Sequence, residues 1–218
     1  MLPQKRRLPL SPAVRRWLIP RAGVARQLSS SSIHPTAVLE SGVRLGRGVQ
    51  IGPYCVVCNG SVIGDGVRLD AHVRVADRTI IGANSTISSF ATLGALPQDL
   101  KYTGEPSHLI IGERCRIAEY VLLSGGTTAG GGVTELGNGC FIMSHCHVAH
   151  DCVLGDGVVL ASSVALAGHV HIGEGARISG FSCVQQKVHV RSRKQEHVFW
   201  PITSDQFAVT NHNFLFPG

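Results

Sequence analysis

Eleven histidines are spread over the 218 residues, and four of them fall close together in the second half: His145, His147, His150 and His169. Imidazoles titrate near neutral pH, so they are the side chains best suited to taking and returning a proton under physiological conditions. His150 is followed directly by Asp151, an acid that can orient or polarise an imidazole. A histidine beside an aspartate is also a common solvated surface pair, so its chemistry depends on what the chain places around it.

What places it is a six-residue beat. From Ile33 an aliphatic residue returns at every sixth position through Leu39, Leu45, Ile51, Val57, Ile63, Leu69, Val75, Ile81 and Ile87 to Leu93. The beat resumes at Ile111, Ile117 and Leu123, and again from Leu136 to Val190. The residue four places after each beat is small or β-branched, as at Ala37, Val49, Ser61, Thr79 and Ala91. A period of six fits neither a helix nor an alternating strand. It predicts an all-β solenoid, a hexapeptide-repeat, left-handed parallel β-helix over residues 33–192 whose beat residues stack inward. Aliphatic-Gly pairs place Gly46, Gly64 and Gly82, then Gly137, Gly155 and Gly173, at intervals of 18. Three hexads therefore make one coil, and glycine at a repeated corner suggests a positive φ there. His150 and His169 are 19 residues apart, one coil plus one, and neither is a beat residue. They are expected on neighbouring layers at one edge, outside the packed core.

Two gaps interrupt the beat. Ala95–Leu109 preserves register on return, which marks an excursion loop with Asp99, Lys101 and Tyr102 as its polar and aromatic content. Such loops cost entropy and add little core, so they carry function more often than packing. Gly125–Thr134 is glycine-rich without a phosphate-loop pattern and reads as a flexible surface loop.

The formal charge of +6 misleads until it is divided. Residues 1–32 hold seven bases and no acid, leaving 13 bases against 14 acids in the rest. The folded part has no basic excess, which argues against a nucleic-acid partner. The Arg-rich, acid-free segment ending in Ser29-Ser30-Ser31-Ser32 is expected to be a mitochondrial transit peptide to the matrix, cleaved after Leu28. No apolar run approaches the roughly 18 residues of a membrane span. Seven cysteines are an odd number, and Cys55-Val-Val-Cys58 lacks a second pair, so small-residue filler is expected rather than disulfides or zinc.

Several stretches resemble the acyl-[acyl-carrier-protein]–UDP-N-acetylglucosamine O-acyltransferase family, whose reaction opens lipid A synthesis. They are IHPTA at 33–37, QDLKYTGEP at 98–106, GGGVT at 130–134, HVAHDC at 147–152 and LAGHV at 166–170. The resemblance implies His150 as general base for the sugar 3-hydroxyl, Asp151 as its orienting acid and the Gly168 N–H as an oxyanion donor. It also implies Asp99, Lys101, His147, His169 and Gln186 as residues holding the substrates. Implied partners are acyl carrier protein, UDP-N-acetylglucosamine and two further copies in a homotrimer, with no metal and no cofactor.

This chain departs from the family in places. Ser124-Gly125 stands where the family has His-Arg, and Gln185-Gln186-Lys187 where it has His-Gln-Phe. The family continues into further coils and a helical domain, whereas 193–218 reads as an irregular, divergent tail. Two other readings stay open. One is a zinc protein resembling γ-class carbonic anhydrases, with His145 or His147, His150 and His169 as ligands. The other is a non-catalytic trimeric scaffold.

Overall fold

The computed structural model describes residues 31–191, so the expected transit peptide and divergent tail lie almost wholly outside the described residues. The beat becomes the fold directly. Most strands are two residues long, and they join into three parallel sheets of eight strands each, in which an inner strand pairs with the third strand before it and the third after it in chain order. Ile33 pairs with Ile51, Leu39 with Val57 and Leu45 with Ile63, so beat stacks on beat at an offset of 18. The result is a three-sided, left-handed parallel β-helix with one coil per three hexads. Adjacent coils lie about 4.8 Å apart, the spacing of hydrogen-bonded strands.

The beat residues from Ile51 to Val184 are buried, and together with the small residues between them they form one continuous aliphatic column. Cys55, Cys115, Cys140, Cys146 and Cys152 belong to this column, as filler should, and all seven described cysteines are free thiols. Burial pushes the Cys152 thiol up to about 12, which keeps it protonated and unreactive. Cys58 differs: its sulfur meets the Glu40 and Asp77 carboxylates at a corner. Among the described residues no helix is long and apolar enough to cross a membrane.

The glycines of the aliphatic-Gly pairs are not where φ turns positive. Left-handed residues stand two places further on, at Gly48, Gly66, Asn84, Arg114, Gly139, Gly157 and Gly175. Gly46, Gly64, Gly82, Gly137 and Gly155 are required by close approach instead, because a Cβ on any of them would meet backbone of the next coil. At Gly82 that Cβ would lie 2.5 Å from the Gly112 carbonyl carbon and 2.6 Å from Glu113 N. Backbone cannot give way as a side-chain tip can. Gly82→Ala is therefore expected to lower stability by about 3 kcal/mol, the upper end for overpacking. Gly48→Ala, with φ +65° and nothing within 4 Å, should cost only about 1 kcal/mol of backbone strain. Denaturant midpoints of the two variants measured side by side check this ordering.

The three corners differ in character. The corner between the first and second sheets carries a stacked ladder of Tyr54, His72, Phe90, Tyr120 and His145, with ring centroids 4.9–5.1 Å apart. The corner between the second and third sheets carries both excursions. One joins the strands Thr92–Ala95 and His108–Ile111; the other joins Leu122–Ser124 and Val133–Leu136. The same corner receives His150 and His169 on the next two layers.

Candidate active site

His150 and His169 meet edge to face, with ring centroids 5.1 Å apart and planes at 89°. The expected juxtaposition on neighbouring layers is what the solenoid delivers. Their expected placement outside the core needs refining. Neither belongs to the aliphatic column, yet His150 is only 5% exposed and Asp151 only 4%. The His169 side chain keeps about a quarter of its surface in solvent. The second excursion closes over Asp151 and is no loose surface loop. It is fastened as a 3-10 turn, Thr128–Gly130, capped by Thr127.

The His150 Nδ1–H donates to Asp151 Oδ2 at 2.8 Å. Thr127 N–H donates to Oδ1 at 2.7 Å, and the Thr127 hydroxyl to Oδ2 at 2.7 Å. The Asp151 backbone N–H is held by the buried Thr134 hydroxyl at 2.8 Å. His169 Nε2 approaches the same carboxylate at 3.7 Å. A carboxylate that takes Nδ1–H selects the tautomer in which Nε2 carries the free lone pair. That nitrogen points along Gly168: a Cβ built there would lie 2.7 Å from His150 Nε2 and 2.6 Å from Cε1. Position 168 is the layer above position 150, so glycine leaves the imidazole the room it occupies. Sequence reading missed Thr127, whose partner is 24 residues away across an aperiodic loop.

The remaining implied residues separate. His147 lies on the outward face of the second sheet beside Ala165, half-buried and close to His150. Gln186 is exposed and takes the position of Gly168 one layer on. Asp99 and Lys101 belong to the first excursion, whose strand lies two layers below. They are bonded to each other, Lys101 N–H to Asp99 Oδ1 at 3.0 Å, rather than to the histidines. His145 is on the aromatic ladder, a different corner, and so cannot join His150 and His169 around a zinc ion. The group that does converge is His150, Asp151 and His169, with ligand atoms within 4.8 Å of one another. The departure at Ser124-Gly125 also has a steric basis: a Cβ on Gly125 would collide with the Ser107 hydroxyl.

Burial lowers the proton affinity of His147, with the nearby His150 adding to the effect. Burial likewise lowers that of His108, helped by Arg78, and of His171, helped by His189 and His169. Below the ordinary histidine value of 6.5 the unfolded chain then binds more protons than the folded one. Stability is therefore expected to fall as pH drops below about 6.5. Urea midpoints across that window check the sign; an unchanged or rising midpoint contradicts it.

Fold and repeat together define a hexapeptide-repeat solenoid. The family model described as bacterial transferase hexapeptide (six repeats) matches residues 60–95 and 134–168. Within that class, the chain is similar to the acyl-[acyl-carrier-protein]–UDP-N-acetylglucosamine O-acyltransferases. It is 43% identical over 111 residues to the protein of that name from Rickettsia canadensis, covering 51% of this chain and 42% of the relative. The corresponding Rickettsia peacockii protein is 44% identical over 111 residues, with the same coverage of each chain. Among solved structures, UDP-N-acetylglucosamine O-acyltransferase from Moraxella catarrhalis matches with a TM-score of 0.71 and 42% identity, over 73% of this chain and 62% of that one. An Arabidopsis UDP-N-acetylglucosamine acyltransferase matches with a TM-score of 0.54 and 25% identity, over 74% of this chain and 72% of that one. The chain thus spans about two fifths of the curated relatives it matches.

Proposed function

We propose that this protein transfers an acyl chain from acyl carrier protein to the 3-hydroxyl of UDP-N-acetylglucosamine, the opening step of a lipid A-type pathway. The observation that carries the reading is the buried His150–Asp151 pair, 2.8 Å apart, at the corner from which the Asp99 loop departs. His150 Nε2 takes the proton of the sugar hydroxyl, and the oxygen attacks the thioester carbonyl. The tetrahedral intermediate places its negative charge toward the Gly168 N–H. It then collapses, expelling the carrier-protein thiolate, which receives the proton from the imidazolium. His147, His169 and Gln186 flank this path on the same or adjoining layers, and no group is covalently attached to the enzyme.

We further infer a homotrimer in which the first excursion serves a neighbouring copy. Leu96 and Leu100 on that loop are 69% and 107% exposed, and Asp99 and Lys101 do not turn back to their own histidines. The Arg-rich leader supports residence in the mitochondrial matrix. The test is the purified chain with UDP-N-acetylglucosamine and a series of acyl carrier protein thioesters, product being read by mass spectrometry and oligomeric state by sedimentation. Formation of the 3-O-acyl sugar nucleotide by a species of three chains is expected. No transfer with any thioester rejects the catalytic reading.

A further inference from the structure

We propose that Thr127 is a positioning residue for the His150–Asp151 pair, and that the glycine-rich second excursion is built to hold it there. The proposal rests on the general-base reading of His150 given above.

Asp151 sits at a left-handed corner, φ 61°, as does His169 one layer on, φ 60°. Nothing in that backbone conformation turns a side chain inward: the His169 side chain is 25% exposed, the Asp151 side chain 1%. The difference lies in what grips the carboxylate. Thr127 takes both oxygens, N–H to Oδ1 and hydroxyl to Oδ2, each at 2.7 Å. A two-point grip from one residue fixes the carboxylate plane as well as its position. The hydroxyl is itself oriented, because its oxygen accepts from Gly130 N–H at 3.3 Å and so turns its proton to Asp151. Oδ2 is thereby aimed at His150 Nδ1.

The excursion contributes no residue to the aliphatic column, so packing does not account for it. Its glycines account for how closely it wraps Asp151. A Cβ on Gly130 would strike the Asp151 carboxylate, and one on Gly126 would strike the Val133 backbone. Thr127 is 2% exposed and is separated from Nε2, the reacting nitrogen, by the carboxylate and the imidazole. It acts through them and does not touch substrate.

Thr127→Val keeps the shape and the N–H but removes the hydroxyl; Thr127→Ser keeps both donors. The valine variant should lose about 10- to 100-fold in kcat, the usual effect of removing an outer partner of a functional histidine. KM should stay within about twofold and serine should restore most of kcat, since Thr127 binds no substrate and only its hydroxyl is in question. Nitrogen-15 NMR of histidine in the full chain supplies a readout independent of turnover. His150 should be protonated at Nδ1 in the parent and show a second, Nε2-protonated population in Thr127→Val. Unchanged kcat in the valine variant overturns the proposal, and so does lost kcat with an unchanged tautomer. If the parent transfers no acyl group, the functional reading fails, while the NMR comparison still decides the role of Thr127. If the valine variant does not fold, Gly130→Ala, which presses a methyl on the Asp151 carboxylate, should shift the same tautomer signal. Its failure to do so counts against the proposal.

Discussion

Asp151→Asn is expected to lower kcat by about 10³- to 10⁴-fold while leaving the solenoid folded. The reason is the direction of the hydrogen bonds. The carboxylate accepts from Thr127 N–H, the Thr127 hydroxyl and His150 Nδ1–H. An amide in its place has one accepting oxygen, and Thr127 N–H, a backbone donor without freedom to turn, takes it. The NH2 group then faces the Thr127 hydroxyl and His150. The hydroxyl can rotate and accept, but the imidazole must present a bare Nδ1 and move its proton to Nε2. A proton on Nε2 is a proton where the base must be empty. Loss in kcat with little change in KM, together with an Nε2-protonated His150 by NMR, is the expected signature. Near-parental turnover would remove Asp151 from the mechanism.

The fold was legible because its determinant is a one-dimensional period. Ile33, Ile51 and Leu69 face the same way for the same reason, and an offset of 18 sets both the coil and the pairing partner. The 19-residue step from His150 to His169 carries over directly into contact. What escaped was whatever depends on distance across layers rather than along the chain. Glycine at 46, 64 or 82 looks like a turn residue, but its reason is the backbone of the coil above. The burial of Asp151 depends on Thr127, in a segment with no period to place it. His145 is only five residues from His150, yet the five residues cross a whole face of the prism and end on another corner. Proximity in sequence offered His145 or His147 as a third zinc ligand; the coil removes His145 to another corner and leaves His147 close to His150. The roles proposed for Asp99, Lys101 and Gln186 come from family resemblance, since no spacing in this chain assigns them.

His150→Ala is expected to abolish measurable transfer, a loss of about 10³-fold or more, since general-base catalysis contributes between 10² and 10⁴. The structural consequences should be small by comparison. Removing the ring leaves Asp151 with both Thr127 donors in place, so the carboxylate remains satisfied on each oxygen. The aliphatic column is untouched, because His150 is not part of it. Sugar-nucleotide affinity should also persist if Asp99 and Lys101 hold that substrate, and binding measured by calorimetry separates this from general collapse of the site. The space vacated is that of the imidazole itself, and it lies against Gly168, where a Cβ would intrude on it. Added free imidazole should therefore restore part of the activity to His150→Ala, and should restore less to a Gly168→Ala, His150→Ala double variant, in which a methyl intrudes on that space. Transfer retained by His150→Ala without added imidazole would show that the proton leaves by another route, and that the buried pair serves the fold.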